Sequence, residues 1–168
     1  MPLAPAPRAD PSSSPAAAIV LGMLLCGVLD LAAACLLAWT QAGRPPAAVV
    51  KGIASAVAGR AALDGGPEMI ALGLTMHFAV ALTATLVFYL LSRRWGVMRT
   101  APLFLIGPLY GAVVFAAMNY GTLPLMSWLR SLYLGTVPRW PGGMGWPLLF
   151  VHLVCVGLPI VWSIRRIR

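Results

Sequence analysis

The stretch AAAIVLGMLLCGVLDLAAACLLAWT, residues 16–40, decides the architecture of this chain, because Asp30 is its only charged residue in 25 positions. At 1.5 Å per residue a helix of that length reaches about 37 Å, enough to cross a hydrocarbon layer of about 30 Å. A helix on the surface of a soluble protein keeps one polar face, and this stretch has none. Its natural solvent is therefore lipid. Residues 67–91, 101–126 and 144–164 pass the same test of length and polarity. The expected fold is all-α, an integral membrane bundle of four transmembrane helices.

Composition agrees. The 168 residues are 60% hydrophobic and 10% charged, where soluble domains carry about 25% charged residues. The net charge of +8 does not point to nucleic acid, since the basic residues stand in twos and threes beside apolar runs and form no single stripe. Lipid headgroups account for them. All six tryptophans, Trp39, Trp95, Trp128, Trp140, Trp146 and Trp162, fall at expected helix ends or in connections, as indole rings do at the headgroup level. Cys26, Cys35 and Cys155 sit inside apolar runs and read as packing residues. LAAAC at residues 31–35 resembles a lipoprotein cleavage site, but Asp30 interrupts the run before it, and residues 16–40 exceed the core of a cleaved signal. Residues 1–15, with five prolines and three serines, are expected to be a disordered tail.

Between the first two spans, residues 49–63 have a helical pattern, with Val49, Val50, Ile53 and Val57 on one face and Lys51, Ser55 and Gly59 on another. At roughly 22 Å this helix is too short to span. It reads as a short interfacial or re-entrant helix ended by Asp64, Gly65 and Gly66. Arg93, Arg94 and Arg99 crowd one connection and Arg165, Arg166 and Arg168 follow the last span, so with Arg8 one side holds seven basic residues against five. Both termini are expected in the cytoplasm.

An ionisable group inside a span costs several kcal/mol and is a functional hypothesis by default. Three qualify: Asp30, His77 and His152. Measured from the expected cytoplasmic helix ends they lie at roughly 20, 21 and 18 Å, and Asn119 at roughly 27 Å. A carboxylate and two imidazoles at one depth could lock helix register, relay protons or hold a cation. Gly27, beside Asp30, and the Gly107 and Gly111 pair next to Pro108 are expected to bring helices into close contact. Gly157 and Pro159 predict a kink in the last span.

No phosphate-binding loop, nucleophile elbow or dinucleotide fingerprint occurs. No catalytic residue, metal or cofactor is therefore expected. The partners expected are the lipid bilayer and a second copy or another membrane protein.

The run Lys51-Gly-Ile-Ala-Ser-Ala-Val-Ala-Gly-Arg-Ala-Ala, then Gly65-Gly66, Ala71-Leu-Gly-Leu-Thr-Met-His77-Phe-Ala, Tyr110-Gly-Ala-Val-Val, Met118-Asn-Tyr and His152-Leu-Val-Cys-Val-Gly-Leu-Pro-Ile resembles uncharacterised small bacterial membrane proteins, the YagU-like inner-membrane proteins among them. The resemblance implies a bacterial inner membrane, the four-span plan, and Asp30, His77, Asn119 and His152 as parts of a shared pattern. It carries no activity. The expected role is that of a non-enzymatic structural or accessory component. A small proton-coupled carrier comes second, and a membrane-embedded metal enzyme third.

Overall fold

A computed structural model describes residues 14–137 and 145–167. Most of the N-terminal tail, together with Arg139, Trp140 and Arg168, lies outside them. Ser14 caps the first helix, which begins at Pro15. Helix α1 runs Pro15–Ala42, and the Ser14 side chain accepts from the Ala17 amide at 3.1 Å. A serine N-cap followed by proline satisfies one orphan amide and presets the first helical φ. The helix stops at Gly43, whose φ of 60° suits a residue without a Cβ.

Next come α2 (Pro46–Ala58), α3 (Ala61–Asp64), α4 (Pro67–Arg94) and α5 (Val97–Thr100). The third long helix, Leu103–Leu134, consists of α6 (Leu103–Ala117), a π turn at Met118–Thr122 and α7 (Leu123–Leu134). The fourth, Trp146–Arg165, consists of α8 (Trp146–Val151), a π turn at His152–Gly157 and α9 (Leu158–Arg165). No strand occurs among the described residues. Four helices are long and apolar enough to cross a membrane. The exterior of the bundle exposes Leu24, Val28, Leu36, Leu90, Phe104, Leu105 and Phe150, a surface suited to acyl chains and unsuited to water. The chain is a multi-pass membrane protein.

Each π turn has a proline two residues after it, Pro124 and Pro159. Proline has no amide hydrogen, so the carbonyl four residues earlier loses its helical partner. Widening the helix by one residue lets the ladder resume. The Leu123 amide donates to the Met118 carbonyl, five residues back.

Glycines set the closest contacts. A Cβ at Gly111 would stand 2.2 Å from the His152 carbonyl oxygen, and one at Gly157 would stand 1.9 Å from that of Gly107. Backbone therefore lies on backbone where α6 crosses the second π turn, and any side chain there would force the helices apart. At Gly27 the neighbour is a side chain: a Cβ there would stand 2.6 Å from the Phe78 ring.

Two boundaries differ from expectation. The helix read over residues 49–63 breaks at Gly59, where φ is 73° and the amide closes onto the Ser55 carbonyl. The third helix runs on past residue 126 to Leu134, and α2 docks on this extension. The Arg130 guanidinium donates to the Ser55 carbonyl at 2.7 Å and the Tyr133 hydroxyl to the Val57 carbonyl. Tyr133 thereby satisfies a carbonyl that the end of the helix leaves open, and Arg130 adds a second donor to the Ser55 carbonyl beside the Gly59 amide. On its other side α2 is tight against α4, because Gly73 has no side chain to meet the Val50 carbonyl.

The packed core occupies one half of the bundle. Ala18, Cys26, Phe88, Ile106, Tyr110, Ile160, Val161 and Ile164 are buried together toward the arginine-rich end. That end is tied by Arg99, which donates to the Ile167 carbonyl at 2.5 Å, and by Arg165, which donates twice to the Met98 carbonyl. The other half is open inside.

Candidate functional site

Above the packed core the helices diverge around a cavity of about 540 Å³. The C-terminal half of α1, α2, the middle of α4, the first π turn with its neighbours, and α8 with the second π turn supply its walls. On α1 the residues Asp30, Ala34, Ala38 and Gln41 line it at near-helical spacing, and on α2 Ala48, Gly52 and Ala56 do so every fourth residue. Small side chains on two facing helices leave the space that larger ones would fill. Gln41 and Arg44, both exposed, stand where the cavity reaches the surface.

Asp30, His77 and His152 all line this cavity. Nε2 of His77 lies 2.8 Å from the Gly27 carbonyl oxygen. A carbonyl only accepts, so this nitrogen carries the hydrogen and donates across from α4 to α1. The His152 Nδ1 lies 2.9 Å from the Leu148 carbonyl oxygen and carries a hydrogen for the same reason. It is also 3.7 Å from Asp30 Oδ1, too far for a hydrogen bond but close enough for an ion pair when the imidazole is protonated. The ring is held from behind by Phe115, edge to face at 5.3 Å.

Asp30 Oδ1 is buried and has no hydrogen-bond donor among the described residues. Its side chain as a whole keeps 17% of its exposure, against 9% for His152. The carboxyl group therefore borders the cavity without a committed partner. An unmet acceptor at membrane depth is costly, and water, a protonated histidine or a ligand is what would satisfy it.

Asn119 does not join this group. It is buried in the first π turn, donates from Nδ2 to the Phe115 carbonyl at 2.9 Å, and is not among the cavity-lining residues. A Cβ at Gly27, Gly107 or Gly111 would meet the Phe78 ring, the Leu158 side chain or the His152 carbonyl respectively. No three His, Cys, Asp or Glu side chains among the described residues converge closely enough to hold a metal ion. Sequence reasoning passed over Gln41, Arg44 and the inner face of α2. The four-residue spacing of Ala48, Gly52 and Ala56 was the available signal. No family model matches the chain, and no curated protein or solved structure matches it either.

Proposed function

We propose that this protein is a small proton-coupled carrier of the bacterial inner membrane, which takes a small solute into the cavity at Asp30 and has both termini in the cytoplasm. One observation carries the reading: a carboxylate oxygen without a donor borders a cavity of about 540 Å³ that also holds two imidazoles and reaches the surface. Ligand pockets run from about 300 to 1,000 Å³, with mostly apolar walls and a few convergent polar groups. A carrier needs its ionisable group to meet water and change protonation, and the donor-free oxygen of Asp30 at the cavity wall supports that reading. The orientation rests on the arginines at one end of the bundle. Kinship with YagU-like proteins would agree with it.

The structural or accessory role has its own support, because His77 and His152 each donate to a backbone carbonyl and so fix helix positions. That role does not call for a cavity or for an acceptor left open. A transport screen of small solutes in vesicles under a pH gradient separates the two. The carrier reading expects at least one flux in the parent that disappears in an Asp30→Asn variant that stays folded and monodisperse. No flux for any solute, or a flux indifferent to Asp30→Asn, returns the structural role to first place.

A further inference from the structure

Charge, donors and shape in the cavity together select a class of solute, a selection that rests on the carrier reading. The ionisable groups facing Asp30 are Cys26 on its own helix, His77 on α4 and His152 on the second π turn, with Cys155 nearby. The parts of α2 and the third long helix that line the cavity contribute no ionisable group, and Arg44 stands at the mouth. When the imidazoles are neutral, each has one N–H, and each N–H is given to a backbone carbonyl, Gly27 or Leu148. Neither is then left over for Asp30. The missing component is a positive charge that brings its own N–H.

The rest of the wall asks for an apolar body. Met76, Met118 and Met126 line the space with Val49 and Val80, and methionine adapts to irregular shapes and favours aromatic rings. Arg44 adds a positive charge to the cavity lining and disfavours diamines and divalent ions.

We infer that the cavity takes a protonated primary or secondary monoamine with an aromatic or branched apolar body, and that its ammonium replaces the proton that neutralises Asp30 while the cavity is empty. The Asp30 O–H bond breaks as its proton passes to water, and no other covalent bond changes. The ammonium enters with one positive charge, the proton of the Asp30 carboxyl leaves through the mouth to water, and the charge of the site stays constant. One amine is thereby exchanged for one proton.

The test uses the full chain in lipid nanodiscs, with 2-phenylethylamine, its N-trimethylated derivative and 2-phenylethanol as probes. The amine should bind, and the two analogues, one lacking N–H and one lacking charge, should bind at least about tenfold more weakly, as loss of a charge-assisted hydrogen bond predicts. Asp30→Asn should weaken the amine by a similar factor. In weak buffer, saturating amine should release a proton to an indicator dye, and Asp30→Asn brought to the same occupancy should release none. Equal binding of amine and alcohol, or amine binding indifferent to Asp30→Asn, overturns the inference. Ala34→Phe, which fills the cavity without touching a polar group, separates the amine assignment from the carrier reading and stands in should Asp30→Asn fail to fold. If the alcohol binds, the amine does not, and Ala34→Phe removes that binding, the amine assignment fails while the cavity remains a solute site. If no probe binds the parent, the amine assignment is overturned, and the vesicle screen alone then decides the carrier reading.

Discussion

Asp30 concentrates the energetic question at the scale of single residues. A carboxylate that locked helix register would be held by donors, and Asp30 Oδ1 has none among the described residues. The two histidines keep their backbone partners whatever stands at position 30. Asp30→Leu is therefore expected to leave thermal stability in detergent unchanged or to raise it, since an apolar side chain in place of an unsatisfied buried acceptor is neutral or favourable. A fall in melting temperature would mean that Asp30 is a lock. His77→Ala should behave differently, because it removes a hydrogen bond between α4 and α1. Such bonds inside membranes contribute about 0.6 kcal/mol on average and up to about 1.7 kcal/mol. Asp30, His77 and His152 were legible in the sequence, since charge inside an apolar run stands out and residue counting puts the three at one depth. Their sharing of one cavity was not, and neither was the separation of Asn119. The extra residue of a π turn rotates the remainder of its helix by about 100°, which helical spacing alone does not foresee.

Elements hold their places here through backbone contact and capping. Gly111→Ala would put a methyl group against the His152 carbonyl, an overpacking expected to cost about 1–3 kcal/mol. Gly52→Ala, with open space around it, should be tolerated. Thermal unfolding of the two variants side by side tests the crossing, and equal stability would show that the helices do not approach so closely. Arg130→Ala removes the side-chain donor that ties the Ser55 carbonyl of α2 to the third long helix. Faster hydrogen exchange across residues 46–58, with α1 unchanged, is the expected result. The long apolar helices and the short helix between the first two could be read from hydropathy and periodicity. The break at Gly59 and the extension to Leu134 could not. Ser127, Arg130 and Ser131 look like the end of a span until α2 is seen to lie against them and to accept a hydrogen bond from Arg130.

Across the whole molecule the bundle is divided into a packed half and a hollow half. Phe88, Ile160, Val161 and Ile164 are almost wholly buried at the arginine-rich end, while small residues on α1 and α2 keep the other end open. Reporter fusions inserted at Gly96 or attached at the C-terminus should report cytoplasm, and fusions at Asp64 the opposite side. The cavity mouth at Gln41 and Arg44 would then face away from the cytoplasm. A cytoplasmic Asp64 would reverse the molecule. The central claim is that Asp30 stands in a space that water and solutes enter, and thiol accessibility tests it most directly. In a background with Cys26, Cys35 and Cys155 replaced by alanine, single cysteines at Ala34 and Ala38 line the cavity, whereas one at Leu36 faces outward from the same helix. A small membrane-impermeant thiol reagent added from the mouth side should label positions 34 and 38 and spare 36, with labelling at 34 slowed by the amine probe. Positions 34 and 38 as unreactive as 36 would contradict the account and leave a closed bundle with a buried polar layer.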